Sequence, residues 1–305
     1  MNIVIIGSGA WGCAFAQVFM RQGFSCTLVA PNEQWAEYAK ETCDLRVIIS
    51  REYTSIAIAD SVYVATPLQY LRNTLMCAAP YAYTGQPWVM LSKGLEQTTL
   101  LTPYELLQKL IPVAVPLVLV GPSGSSDVIA GDPVGLVCAA RSVHTRYITH
   151  LQSQFEGLPL TIQGSCDIMG VSWCGAVKNS IAFGVGILRG LSYGHSTVGL
   201  LITRGIFEMG ILVTRHGGDF TTVVGLAGIG DLVATAGSTW SRNVQAGIAC
   251  ATGVEYSQTA EGVETLRALE PLYVKIPELV LLKFLNNCAH QRAHPTDIKN
   301  ILLSF

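Results

Sequence analysis

Up to about residue 165 the chain alternates short β-branched runs with segments of helical periodicity. No other feature limits the fold as much. Strands are expected at Ile3–Ile6, Ser25–Val29, Ser61–Ala65, Trp88–Leu91, Leu117–Val120, Gly135–Ala139 and Leu160–Gln163. Helical patterns lie between them at Ala10–Gln22, Glu33–Thr42, Leu68–Ala79, Pro103–Leu110 and Val143–Glu156. Strand–helix–strand units joined by short loops imply a parallel, doubly wound sheet with helices on both faces. From about Asp167 the strands stop. Helical stretches follow at Ile168–Leu191, Ser196–His216, Arg242–Ala251, Ser257–Ala268 and Pro277–Ala289, broken by glycine-rich turns at 217–218 and 225–230. The reading is α/β: a dinucleotide-type domain over 1–165 joined directly to an all-α domain over 166–305, with no repeat or flexible linker between them.

Composition narrows the class. Of 305 residues, 50% are hydrophobic and 13% charged, and the mean hydropathy is +0.41. Such values raise the question of a membrane. A spanning helix needs about 20 mostly apolar residues, whereas Ile111–Val120 is short and carries Pro112 and Pro116. The other apolar stretches are broken by Gly, Lys, Arg or His, so no membrane span is expected. The apolar content then belongs to strands buried on both faces, and its surplus suggests a helical face covered in a homodimer. A net charge of −2 without a basic stripe excludes nucleic acid as an expected partner. The nine cysteines are odd in number, scattered and never spaced Cys-x-x-Cys. They read as buried thiols of a reducing, cytoplasmic protein, with neither a zinc site nor a disulfide frame. The amino terminus runs straight into Ile3-Val4-Ile5-Ile6 without a cationic segment, and is expected to be a strand rather than a signal peptide.

Gly7-Ser8-Gly9-Ala10-Trp11-Gly12 is a G-x-G-x-x-G run between the first expected strand and the first helix. The pattern alone is weak, but this context is the one it requires. Gly7 permits the tight turn, Gly9 lets backbone approach a pyrophosphate, and Gly12 lets helix pack on sheet. The helix N-terminus then offers N–H groups to phosphates. A Rossmann-like, mostly parallel sheet binding NAD or NADP is the expectation. The choice between the two cofactors stays open. Val29-Ala30-Pro31-Asn32-Glu33 ends the second strand with neither an Asp for the ribose nor an Arg for a 2′-phosphate, and Glu33 reads equally as a first-turn acid of the next helix.

Four polar islands stand in apolar surroundings. Ser92-Lys93-Gly94-Leu95-Glu96 and Gly121-Pro122-Ser123 each follow a strand, where open α/β sheets bind ligands. Lys178 sits in Gly175-Ala176-Val177-Lys178-Asn179, among Val171, Trp173, Ile181 and Ala182. Desolvation there would favour the neutral amine and suit it to proton transfer. A lysine snorkelling along an apolar helix face is the other reading. The fourth island is Gly225-Leu226-Ala227-Gly228-Ile229-Gly230-Asp231, followed by Ser241-Arg242-Asn243 at a helix start. That trio is an oxyanion-binding set, unless Ser241 is simply an N-cap.

Taken in order with Ile202-Thr203-Arg204-Gly205, these motifs resemble the NAD(P)-dependent glycerol-3-phosphate dehydrogenases, over residues 3 to about 290. The resemblance implies a Rossmann-like half and a helical half, the latter like the C-terminal domain of 6-phosphogluconate dehydrogenase, with the active site in the cleft between them. It implies reduction of dihydroxyacetone phosphate to sn-glycerol 3-phosphate for glycerophospholipid synthesis. Lys178 falls on the catalytic lysine, with Lys93 and Asp231 beside it. Lys93, Gly121, Ser123, Asp231, Ser241, Arg242 and Asn243 fall on substrate contacts. Gly7, Gly9, Ala10, Trp11, Gly12, Pro31, Lys93, Ser125, Arg242, Thr259 and Glu261 fall on cofactor contacts. No metal is implied.

The chain also departs from the family pattern. Gly124-Ser125-Ser126-Asp127 replaces the usual aromatic-small-acid run after Gly-Pro-Ser, which is expected to loosen the cofactor lip. Cys43–Thr54 is compressed and lacks a Leu-Pro-Gly-like turn, and Pro31 offers no polar group to the adenosine ribose. Two alternatives follow: a related β-hydroxyacid-type reductase with another substrate, or an inactive nucleotide-binding paralogue. Intact Lys93, Lys178 and Asp231 weigh against the second. His290 and His294 with Asp297 have metal-like spacing but read as a solvated tail around Pro295. His195 reads as a loop or cap-region residue.

Overall fold

A computed structural model describes residues Met1–Ser304. Its first strand, β1 (Asn2–Ile6), is buried at every position after Asn2 and lies parallel between β2 (Ser25–Val29) and β4 (Ser61–Val64). A strand flanked on both edges and covered on both faces must be apolar at successive positions, hence the unbroken Ile3-Val4-Ile5-Ile6. On one side β3 (Ile48–Ser50) extends the sheet beyond β2. On the other follow β5 (Pro87–Met90) and β6 (Val115–Val120), so the order begins 3-2-1-4-5-6, that of a dinucleotide-binding fold. The last two strands, β7 (Val134–Ala139) and β8 (Leu160–Ser165), complete an eight-stranded sheet, with β7 antiparallel to β6 and parallel to β8. All the expected strands form. The additional one, β3, has three residues at an edge in the compressed segment, too short to show a period-two pattern.

The crossover helices are α1 (Ala10–Arg21), α2 (Glu33–Thr42), α3 (Leu68–Ala78), α4 (Pro103–Leu110), α5 (Ser125–Ala130) and α6 (Thr145–Ser153). Phe15 and Phe19 of α1 pack on the Tyr63 ring of β4, at centroid distances of 5.9 and 4.8 Å, and on Phe155. The fully buried Tyr63 hydroxyl donates to Gln154 Oε1, as a phenol in a core must. Two compact units result. One comprises Met1–Lys93 and Pro103–Ile168; the other comprises Gly94–Thr102 and the residues from Met169 onward.

The second unit is helical: α7 (Ile168–Gly190), α8 (His195–Arg215), α9 (Phe220–Val223), α10 (Asp231–Gly237), α11 (Arg242–Thr252), α12 (Glu261–Ala268), α13 (Val280–Ala289) and α14 (Ile298–Leu303). Helix α7 crosses α11 with backbones in direct contact. A Cβ on Gly186 would stand 2.1 Å from the Val244 carbonyl oxygen, and one on Gly247 would stand 2.0 Å from that of Phe183. From α8, buried Glu208 caps α13, accepting from the Leu281 and Leu282 N–H groups at 2.7 and 2.9 Å. Arg204 of the Thr-Arg-Gly motif pairs with Glu208 and donates to the Ile301 carbonyl, so that motif fastens α8 to α13 and α14. Burial pushes the Glu208 carboxyl up, against the pull of those backbone donors and of Arg204.

One expectation needs correcting. Three helical stretches are long and apolar enough to cross a membrane: Ile168–Gly190, His195–Arg215 and Phe220–Gly237. Scattered Gly, Arg and Lys did not break the long helices, because glycines at tight helix crossings and paired cations fit inside a protein interior. The apolar window of Ile168–Gly190 is 100% buried within the protein.

Candidate active site

In the sheet unit, the three fingerprint glycines have separate physical reasons. Gly7 leaves β1 at φ +108°, a conformation that favours glycine, and a Cβ there would meet the Ala65–Thr66 backbone at 2.9 Å. A Cβ on Gly12 would stand 1.8 Å from the Gly7 carbonyl oxygen. Around the Cβ position of Gly9 nothing lies within 4 Å. The first turn of α1 has no side-chain cap and no acidic residue, so its N–H groups and their positive end suit a phosphate. A dinucleotide therefore fits this loop: backbone donors, an open approach at Gly9 and no competing carboxylate. Ala10 is exposed and Trp11 half-buried, its ring 5.3 Å from Phe15. Pro31 is exposed after β2, and Glu33 is the exposed first residue of α2, which Asn32 caps through the Trp35 N–H.

Lys93 is half-buried beyond β5. The preceding Ser92 is fixed by donation to the Thr66 carbonyl at 2.6 Å, and Gly94 turns the chain at φ +114°. Gly121 has a structural reason of its own, since a Cβ would stand 2.5 Å from the Gly135 oxygen across the β6–β7 pair. Ser123 is buried and donates to the Gly121 carbonyl at 3.0 Å. Ser125 opens α5.

In the helical unit, Lys178 is 5% exposed and donates to Asp231 Oδ1 at 2.9 Å and to Thr235 Oγ1 at 2.5 Å. Thr235 in turn donates to the Asp231 carbonyl at 2.7 Å. Lysine comes from α7. Asp231 and Thr235 come from one face of α10, four residues apart, launched by a π-helical turn over Leu226–Gly230. Glycine is needed inside that turn, where a Cβ on Gly228 would meet the Val223 oxygen at 2.0 Å. Burial alone therefore does not describe Lys178. The amine stands in a dry, ion-paired setting, opposite a carboxylate that is itself almost wholly buried. Thr235 is the member that sequence reasoning missed; its i+4 relation to Asp231 was the available signal.

Ser241 caps α11, accepting from the Val244 N–H at 3.4 Å. Arg242 is exposed in the first helical position. Asn243 is buried and its Oδ1 accepts from the Gly262 N–H at 2.8 Å, which turns its amide NH₂ the other way. Asn179, beside Lys178, donates to Glu261 Oε2 at 3.2 Å, and Ser180 donates to the Gly262 carbonyl. The start of α12 is thereby held from both α7 and α11. Thr259 is exposed and lines a cavity of about 1020 Å³ with Cys250, Tyr256, Glu264 and Arg292; Lys178, Asp231 and Arg242 lie outside that lining. His195 is the first residue of α8. His290 accepts from Arg267 at 2.9 Å, and His294 caps the short turn at Pro295.

Residues 38–145 match the family described as NAD-dependent glycerol-3-phosphate dehydrogenase N-terminus, and residues 167–300 match its C-terminus. The glycerol-3-phosphate dehydrogenase (NAD(P)+) of Maricaulis maris is 36% identical over 275 residues, spanning 86% of this chain and 81% of that protein. The protein of the same name from Bradyrhizobium sp. is 35% identical over 284 residues, spanning 89% and 86%. Among solved structures, glycerol-3-phosphate dehydrogenase from Coxiella burnetii superposes with a TM-score of 0.92 at 26% identity, covering 100% of this chain and 99% of that one. With its dinucleotide loop, buried lysine and helical unit, this chain belongs to the NAD-dependent glycerol-3-phosphate dehydrogenase family.

Proposed function

We propose that this chain interconverts dihydroxyacetone phosphate and sn-glycerol 3-phosphate with NAD(P), supplying glycerol 3-phosphate for glycerophospholipid synthesis. The observation that carries the reading is the buried Lys178–Asp231–Thr235 group, in a chain of this family that also holds the dinucleotide loop. When bound, the reduced nicotinamide supplies the hydride that no side chain can provide. Lys178 gives its proton to the C2 oxygen, assisted by Lys93, while Asp231 and Thr235 hold the amine in line; the lysine is left neutral and takes a proton back from solvent. Arg242 offers its guanidinium fork to the substrate phosphate, Asn243 its amide NH₂, and Ser241 the capped helix start. Gly121 and Ser123 complete the substrate contacts, and fixing the phosphate fixes the carbonyl carbon. Gly7, Gly9, Ala10, Trp11, Gly12, Pro31, Lys93, Ser125, Arg242, Thr259 and Glu261 hold the cofactor.

The test mixes the protein with dihydroxyacetone phosphate and NADH or NADPH and follows the loss of reduced-nicotinamide absorbance. Oxidation dependent on the phosphate ester is expected with at least one cofactor. None with either at high enzyme would overturn the reading, and oxidation driven by an unphosphorylated keto acid would replace the substrate.

The reading places the enzyme in the cytoplasm as a homodimer, outside the membrane. The scattered cysteines and the complete burial of the α7 apolar window support the compartment. Phe207, 63% exposed on α8, supports a covered helical face. Sedimentation at micromolar concentration should give twice the chain mass, and a single monomeric species would remove the dimer.

A further inference from the structure

Beyond β7 the chain carries cations without a counter-charge. From Pro133 to Phe155 there is no Asp or Glu, yet Arg141, His144, Arg146 and His150 fall within that run. Strand β7 is antiparallel to β6, pairing Ala139 with Val118 and Val137 with Val120. The chain therefore leaves β7 at the edge of the sheet where the parallel strands begin, away from the dinucleotide loop. Arg141 precedes a single 3-10 turn, Ser142–His144, that runs directly into α6. The His144 N–H closes this turn by donating to the Arg141 carbonyl at 2.7 Å. Arg146 lies over the Tyr147 ring, its Cζ 4.9 Å from the centroid, and donates to the Tyr147 hydroxyl at 3.1 Å. The His144 ring meets the same ring edge-on at 6.1 Å. That tyrosine is fastened in turn, its hydroxyl donating to the Gly85 carbonyl ahead of β5.

We propose that Arg141, His144 and Arg146, at the start of α6, form a binding site for a phosphate-type dianion, inorganic phosphate or a phosphomonoester. Arg141 and Arg146 are exposed, and among the described residues neither meets a carboxylate. Exposed arginines elsewhere do: Arg46 pairs with Asp44, Arg215 with Glu278 and Arg292 with Glu270. Two guanidinium charges thus share one unneutralised field, which an anion relieves, and each offers a planar fork to phosphate oxygens. Stacking on Tyr147 holds the Arg146 fork in place before any ligand arrives. Burial and the charges of Arg141 and Arg146 hold the His144 imidazole below its ordinary value. Its buried Nδ1 has no partner among the described residues, so the neutral ring keeps its proton on Nε2 as the donor. Neither the 3-10 turn nor α6 has a side-chain cap or an acid in its first turn, so their N–H groups add to the field. The site belongs to the sheet unit, like the dinucleotide loop, but lies at the opposite edge of the strands.

Phenylglyoxal adds to free guanidinium groups, and cleavage after glutamate places Arg141 and Arg146 alone on one peptide, Leu106–Glu156. Arg46 and Arg51 on Thr42–Glu52 serve as the reference. The full-length protein is treated with the reagent in inorganic phosphate or in sodium chloride of equal ionic strength, then digested and weighed. Saturating phosphate should slow addition to Leu106–Glu156 by about tenfold and leave Thr42–Glu52 unchanged. Vesicles containing phosphatidic acid, set against phosphatidylcholine alone, present the same phosphomonoester on a lipid. Protection by those vesicles without protection by inorganic phosphate assigns the site to a headgroup; protection by inorganic phosphate assigns it to a soluble anion. In Arg141→Gln, a surface change expected to keep the melting temperature, phosphate should no longer shield Arg146. Equal protection by chloride, protection by neither phosphate source, or undiminished shielding of Arg146 in Arg141→Gln would overturn the proposal. The mass readout needs no turnover, so failure here is separate from failure of the dehydrogenase assignment.

Discussion

Lys178→Ala lowers turnover of dihydroxyacetone phosphate by about 10²–10⁴-fold, the range supplied by one positioned proton donor, while NADH binding persists. The dinucleotide loop lies in the other compact unit. Alanine takes the ammonium from a carboxylate that is almost wholly buried, so part of the effect could arise from loss of fold. Removing one member of a buried pair costs about 3–5 kcal/mol. Lys178→Arg separates the two causes. Its guanidinium keeps a positive charge beside Asp231 but does not give up a proton near neutral pH. The arginine variant should therefore melt closer to wild type than the alanine variant, and still lose at least about a hundredfold in turnover. Normal turnover in a folded Lys178→Arg protein would assign the proton to another group.

The second large effect separates two glycines three residues apart. Gly12→Ala should destabilise the sheet unit by about 2–3 kcal/mol or more, because the methyl would stand 1.8 Å from a backbone oxygen that cannot rotate away. Gly9→Ala should leave the melting temperature unchanged. Its site is open, and its φ of −71° suits any residue. The same methyl stands where a pyrophosphate must approach, so NADH affinity should fall by about tenfold or more, roughly 1.4 kcal/mol. Thermal unfolding and a cofactor titration on both variants decide the matter. A Gly9→Ala protein that binds NADH like wild type would remove the loop from the cofactor site.

The fingerprint was legible because Gly7 and Gly12 answer backbone demands that composition cannot disguise, while Gly9 keeps an open approach between them. The Lys178–Asp231–Thr235 group was only partly legible. Lys178 and Asp231 stand out as polar residues in apolar runs, yet 53 residues separate them, and nothing local says that they pair. Thr235 is an ordinary helical threonine until Asp231 is known to face Lys178. Strand β3 and helices α5, α9, α10 and α14 escaped for lack of length, since three to seven residues do not establish a period. The expected absence of spanning-length apolar helices failed for another reason. A wholly buried helix and a membrane helix obey the same composition rule, and only the surroundings of α7 tell them apart.

The contact of Gly186 with Gly247 bears on how the enzyme keeps time with temperature. Lys178 lies eight residues along α7 from that crossing, about 12 Å of helix rise, and Arg242 lies five residues along α11 from it. Where helices meet through side chains, rotamer changes let them slide. Here two main chains abut, leaving no rotamer to change. Lys178 and Arg242, to which the proposed function gives the proton and the substrate phosphate, are thus held like two points on rulers riveted together, their separation set by peptide geometry. Warming the protein should speed the chemistry long before it slackens that span.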